Sequence, residues 1–462
     1  MLRASAVAEK AGVPSVSIVS TPFMKQAAVI ARGLGLPDLS IAEYPGVPMT
    51  DSAQTVREKT AAQLVEQIVK GLASLVPMAA GKEPPAGTGA RSVVFRGTLA
   101  EVQEHFLAQQ WSDGLPVMPP TPAAVAAFLR HTDRDPGEVL GVLPPENRQA
   151  TVWNIAVNGV MAGCRPEYMP ILLAIVEAVL DPDFHIEDAG STPGWEPLII
   201  LSGPLIRTLD FNDGAGVMRM GRQANTSIGR FLRLYIRNVA GSRILPSGSD
   251  KGSIAGSFHV VLAENEAAVA ELGWQPFSVD QGFVAGDSVV TVQSVVSVSP
   301  PIYTGGDTAE SHMQVITEAL ADETRLRCFG AHLTGCYFPL LVLGPAIAEA
   351  IARSGWSKDD IRCYVADRLK IRVGLAERYA WHAGLTSFSI AGQVRLGIIG
   401  PQFGGADDPE REIPVMIRPE RLGIVLSGDP GRNQSRAYIN NHVQGQRVSR
   451  RVRSPDVVAR GA

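Results

Sequence analysis

At 462 residues the chain is long enough to bury a large core and to hold two or three domains. With 45% hydrophobic residues, 19% charged residues and a formal net charge of -4, it reads as an ordinary soluble protein. That balance excludes a nucleic-acid-binding surface, since there is no long basic tail, lysine run with interleaved aromatics, finger or helix-turn-helix.

Residues 1–75 carry the pattern of an incomplete α/β unit. A helix through Lys10 runs into the strand GVPSVSIVS; TPFMKQAAVIARGLG is a helix closed by Gly33 and Gly35; LSIAEYPG is a second strand; and a long helix covers roughly Asp51 to Leu72. The short strands, apolar on both faces, suit a covered parallel sheet. Such a sheet normally begins with a strand, so a leading element is expected before Met1. The run AGVPSVSIVSTPFMKQAAVIARGLGLPDLSIAEYPGVP, with the helix that follows, resembles the C-terminal half of the UGSC family of proteins and selenoproteins. That resemblance implies a reactive U/C-G-S-C loop just ahead of residues 1–12. No CxxC or CGSC occurs in this chain, so the reactive pair transfers to none of its residues. Three accounts of the loop stay open: a separate upstream subunit bearing CGSC, a selenocysteine codon read as a stop, or loss. WSDGLPVMPPT, NGVMAGCRPEYMP and GWSKDDIR resemble the companion region fused to the UGSC part in longer relatives.

GKEPPAGTGA is a linker by composition. The expected organisation is therefore α/β: a small incomplete parallel-sheet subdomain at 1–80, a linker at 81–92, and a large mixed α/β region at 93–462 that divides, if it divides, near 300–325. SVVFRG reads as a strand and VQEHFLAQQW as an amphipathic helix ending at a rigid loop, 112–120. There Asp113, before Gly114, is either an acid-base group or the cap of its own turn. In the apolar helix TVWNIAVNGVMAGC, Asn154 and Asn158 stand at i and i+4, where buried amides either tie helices together or meet a ligand. Cys164 follows and is either a core thiol or one activated by nearby Arg165; Pro166 fits the first position of the next helix. His185, Glu187 and Asp188 lie in a loop too local to establish a metal site.

The central segment 209–250 has the composition of an anion site. Asn212 and Asp213 lie in its first loop; Asn225, Thr226 and Ser227 are suited to cap a helix start, and Arg230, Arg233 and Arg237 share one helix face. Such a row either holds a carboxylate or phosphate or pairs with acidic side chains elsewhere. Further on, DSVVTVQSVVSVS reads as one long or two short strands, Thr308 to Leu320 as a helix, FPLLVLG as a buried strand, and Ser357 with Asp360 as a capping box. Cys328, His332 and Cys336 recur at i, i+4 and i+8, a set suited to zinc, to a thiolate promoted by His332, or to two buried thiols beside a structural histidine. RPERLGIVLSGDPGRNQSRAY gives a strand, a glycine-rich turn from Gly428 to Arg432 and a helix, a second anion loop with Arg432 at its end.

No nucleotide or flavin signature, GxSxG elbow or HExxH helix is present, and the longest apolar run, from Tyr337, is too broken to span a bilayer. The chain thus reads as a cytoplasmic enzyme, expected to be a homo-oligomer, for a small anionic or polar metabolite. The family resemblance implies thiol-dependent redox or carbon–sulfur chemistry. A lyase or hydratase without redox chemistry, or a non-catalytic subunit whose partner carries CGSC, stands beside it.

Overall fold

Two stretches share one pattern, PLIILSGP at 197–204 and PLLVLGP at 339–345. Runs apolar on both faces are buried inside sheets covered on both sides. The computed structural model describes residues 2–73, 91–186, 194–244, 259–325, 333, 335–382, 389–440 and 446–453. The chain forms two compact units, one of Met1–Pro116, Gly141–Ala150 and Tyr235–Lys251, the other of Val117–Leu140, Thr151–Leu234 and Gly252–Ala462. Most of the expected linker lies outside the described residues.

In the first unit, strands β1 (Ser17–Ser20) and β2 (Ile41–Tyr44) pair in parallel, with Ile18 opposite Ala42. Helices Leu2–Lys10 and Met24–Gly33 and a long helix from Ala53 to Ala73, with a π turn at Thr60–Leu64, complete the order expected from the sequence. Ala6, Ala31, Leu36 and Leu39 form one small core, and Ala42, Tyr44 and Leu64 another. Lys59 and the Tyr44 hydroxyl, each 2.6 Å from Asp51, tie the loop after β2 to the long helix.

A two-stranded sheet of β3 (Val139–Leu143) and β4 (Arg148–Thr151) follows in sequence. The second unit then contributes β5 (Glu196–Ser202), β6 (Leu262–Ala263), β7 (Val289–Val295), β8 (Ser297–Val298), β9 (Ile302–Tyr303), β10 (Leu340–Leu343), β11 (Lys370–Arg372), β12 (Glu412–Pro414), β13 (Gly423–Leu426), β14 (Gln434–Ile439) and β15 (Val448–Arg451). The two patterned stretches supply β5 and β10, inner strands of two sheets built alike. Each pairs in parallel with a later strand, β6 or β13, and antiparallel with a still later one, β7 or β14. The registers match: Leu201 faces Ala263 and Val290, as Leu343 faces Leu426 and Ser435. The outer strands are exchanged. β8, which follows β7, pairs with β14 in the second sheet, and β15, which follows β14, pairs with β7 in the first.

The sheets share a core. Leu198 and Ile200 of β5 and Leu340 and Val342 of β10 belong to one cluster with Leu262, Phe277, Val295, Val425 and Tyr438. Each such fully buried side chain contributes about 1.5–3 kcal/mol. Helices cover the other faces: Met169–Val179 packs on β7 and β15, and helices Ala309–Arg325, Pro345–Arg353 and Lys358–Arg368 pack with Leu341, Leu343, Ile424 and Leu426. The architecture is open α/β.

Two local expectations change. SVVFRG is irregular, with Val93 and Val94 more than half exposed and no strand beside them to pair with among the described residues. The stretch after the turn 428–432 is the strand β14 and not a helix, because Ser435, Ala437 and Ile439 alternate with Arg436 and Tyr438 at the period of a sheet. DSVVTVQSVVSVS does form two strands, and the Ser357–Asp360 capping box is complete.

Gly203, just past β5, has φ 109°, and a Cβ there would lie 2.4 Å from the Asp287 carbonyl oxygen. Gly355 has φ 82° with open space around it. Urea denaturation is expected to show Gly203→Ala costing more than about 3 kcal/mol and Gly355→Ala about 1–2 kcal/mol. Equal losses would show that the close approach at Gly203 does not matter.

Candidate functional site

Strand β13 ends at Leu426, and the chain returns as β14 on the far side of β10, so the turn 427–433 crosses the carboxyl end of β10. It crosses at Gly344. The Gly344 N–H donates to the Gln434 carbonyl at 3.1 Å, and a Cβ would stand 2.7 Å from that oxygen and 3.1 Å from the Arg432 carbonyl oxygen. No larger residue fits without displacing the turn. Gly428 adopts φ 106°, and the Asp429 carboxylate accepts from the Gly431 N–H at 2.8 Å. The Asp213 carbonyl ties this turn to the loop 212–219, accepting from the Gly428 N–H at 3.0 Å and from Ser427 Oγ at 3.1 Å.

Turn and loop together line a cleft of about 510 Å³, with Val342, Gly344, Gln434, Ser435, Arg436 and Tyr438 completing its walls. It stands at the carboxyl ends of the parallel strands β10 and β13, where open α/β sheets bind ligands. Three arginines, Arg219, Arg432 and Arg436, reach it, against one acidic residue, Asp429. Arg432 Nε is 3.9 Å from the Asp429 carboxylate, and Arg436 Nη1 donates to the Ser299 carbonyl at 3.5 Å. Among the described residues the Arg219 guanidinium has no carboxylate partner. Burial pushes the Tyr438 phenol up to about 12, against the pull of the Arg436 charge, so it stays protonated at neutral pH.

The central helix holds one of the loops that line this cleft. It begins at Gln223, ahead of the residues suited to cap it. Asn225, fully buried in its first turn, donates to the carbonyls of Asn212 and Val261 at 3.0 and 2.9 Å and accepts from the Asn212 N–H at 2.8 Å. Asn212 in turn accepts from the Gly214 N–H and donates to the Ala215 carbonyl. Both amides hold the loop that carries Arg219. Arg233 pairs with the buried Glu196 at 3.3 Å, and Arg237 donates to the Gln110 carbonyl at 3.1 Å. Cys164, Ser227 and Arg230 come together. Burial pushes the Cys164 thiol up to about 12, while Ser227 and the Arg230 charge pull the other way.

Other sequence candidates have local structural partners. Asn154 completes a capping box with Thr151, and the Asn158 amide donates to the Asn154 carbonyl at 2.8 Å. Asp113 accepts from the Leu115 N–H at 3.4 Å. The Cys336 carbonyl accepts from Asn440, while Cys328 and His332 lie outside the described residues, as do Glu187 and Asp188. Among the described residues no group of three or more His, Cys, Asp or Glu side chains is arranged to hold a metal ion. Also among them, no helix is long and apolar enough to cross a membrane.

The matching end of the first sheet is filled. Glu264 takes the position after β6 that Ser427 takes after β13, donating its N–H to Leu201 as Ser427 does to Leu343. It is fully buried, accepting from Ser202 Oγ at 2.7 Å and from the Phe277 N–H at 2.9–3.0 Å. Burial pushes its carboxyl up to about 7, with Lys358 opposing.

Arg219 and Arg436 lie outside the sequence-based set. The repeated Pro-Leu-x-x-Leu pattern, which marks two like sheets and hence two like strand ends, is the signal that leads to them. In comparison with known proteins, residues 1–74 match the UGSC family, the span that holds the parallel pair β1 and β2 and the long helix to Ala73. No curated protein and no solved structure matches the chain.

Two outcomes are expected. In native protein at pH 8, Cys164 resists iodoacetamide while the exposed Cys363 reacts, and Cys164 becomes reactive on unfolding; rapid native labelling of Cys164 by peptide mass spectrometry would contradict its burial. The Glu264 carboxyl, with its proton held up to about 7 in the fold against 4.5 without it, stabilises the fold most below pH 4.5. That contribution, on the order of 3 kcal/mol, is lost as pH rises through 7. Urea unfolding at pH 5 and pH 8 should show Glu264→Gln narrowing the gap between the two; an unchanged gap would rule out the assignment.

Proposed function

We propose that the protein is a cytoplasmic enzyme that binds a small organic anion in the cleft at the carboxyl ends of β10 and β13, and that its chemistry is of the lyase or hydratase type. The observation that carries this reading is the convergence of Arg219, Arg432 and Arg436 on one cleft with Asp429 alone to offset them. A guanidinium presents a planar fork of donors matched to a carboxylate or phosphate, and its charge is permanent. Three such groups left near one another repel, so a bound anion relieves the site as well as filling it. The matching end of the first sheet supports the reading by contrast, because there the buried Glu264 occupies the space.

The choice of lyase or hydratase over thiol chemistry rests on Cys164. A thiol held protonated by burial is a poor nucleophile and a poor electron donor. The Asp429 carboxylate on the cleft wall is instead a group able to take up and return a proton, as elimination or hydration requires, and the protonated Tyr438 phenol is a hydrogen-bond donor beside the arginines.

The test is a thermal-shift and calorimetric screen of the whole chain against organic acids and phosphates, followed by NMR of the hits for turnover without an electron acceptor. Arg432→Gln and Arg436→Gln should each weaken binding of the selected anion by about 1.5–3 kcal/mol, roughly ten- to 150-fold. If both variants bind it as the parent does, the cleft is not the anion site.

A further inference from the structure

The core shared by the two sheets does not close evenly. Of its buried members, Leu198, Ile200, Leu262, Phe277, Val295, Leu340 and Val425 are 3% exposed or less, whereas Val217, Val342 and Tyr438 are 9%, 8% and 4% exposed. These three are the members of the cluster that line the cleft, and the partly buried Met218 packed against them lines it too. Among the described residues, the cleft is therefore where this shared core comes nearest to solvent. On β14, Gln434, Arg436 and Tyr438 alternate onto one face, so a charged side chain and an apolar ring stand two residues apart, about 6.8 Å along the strand.

We infer that the cleft takes an amphipathic organic carboxylate: a single anionic head on the arginines and a short apolar body covering Val217, Met218, Val342 and Tyr438. This inference rests on the reading of the cleft as an anion site and adds the ligand's class to it. A polyphosphate fits the same arginines poorly. It would lay charge over an apolar floor and crowd Asp429 on the rim, and the turn 427–433 has neither the lysine nor the spacing of a phosphate-binding loop. A carboxylate with no apolar body would leave the floor wet, which forgoes about fourfold in affinity for each methylene that could have been buried.

Calorimetry with acetate, butyrate, hexanoate, phenylacetate, inorganic phosphate and pyrophosphate tests this on the full chain. Affinity is expected to rise about fourfold per methylene from acetate to hexanoate until the floor is covered. Phosphate and pyrophosphate should bind more weakly than hexanoate. Val342→Thr, nearly the same in volume, should flatten the dependence on chain length, and Met218→Gln, on a half-buried residue, provides the same test should the first variant fold poorly. Arg436→Gln should weaken every carboxylate by a similar factor. Binding that depends on Arg436 but not on chain length, or pyrophosphate bound more tightly than hexanoate, would overturn the ligand class and leave the anion site standing. Binding indifferent to both Arg432→Gln and Arg436→Gln, or no binding by any of the six, would overturn both.

Discussion

The packing of β5 against β10 across the shared core is the constraint on which the second unit depends. Leu198 and Ile200 must meet Leu340 and Val342, and that fixes the facing of both sheets and the side on which helices cover them. Alternation then assigns the remaining residues. On β14, the face that carries Tyr438 into the core also carries Arg436 and Gln434, so the polar walls of the cleft follow from the register that buries the tyrosine.

The two halves of the unit are alike in connectivity and unlike in chemistry. Where the first turns aside after β6, the fully buried Glu264 carboxyl accepts from Ser202 Oγ and the Phe277 N–H, and its contribution is to the stability of the fold. Where the second turns after β13, a small hydroxyl at Ser427 is spent on the carbonyls of Ala263 and Asp213, and the chain crosses β10 on a glycine. One end has become ballast for the fold and the other has been left open. A difference of this kind leaves the shared core unchanged while the two strand ends differ in charge and exposure.

Much of this was legible in the sequence, and the parts that were not have physical reasons. The first 73 residues announce their elements because the strands and the helix Met24–Gly33 are short and set off by glycine and proline, and the long helix from Ala53 starts at the Ser52 cap. Arg432 is legible because its turn is built from Gly428, Asp429 and Gly431, residues with few other uses. Arg219 and Arg436 carry no local signal: one follows a loop held by Asn212, Asn225 and the Asp213 carbonyl, and the other lies on a strand whose place beside β10 is set by long-range pairing. Asn225 has the composition of a helix cap, yet its three bonds are to backbone far off in sequence. Long-range pairing decides such cases, and composition cannot see it.

The exchanged outer strands bear on how the chain is made. Val448 pairs with Val292 and Arg451 with Val289, so the β7 edge of the first sheet stays bare on the ribosome until residues 448–451 have been synthesised. Meanwhile β8 is committed to a sheet whose other members have not yet emerged. Neither half can finish alone, and the nascent chain has to carry an unpaired strand edge through roughly the last third of its synthesis. Proteins with pairings this distant fold slowly, and that edge is the surface on which a chaperone would act and on which two unfinished chains would find each other.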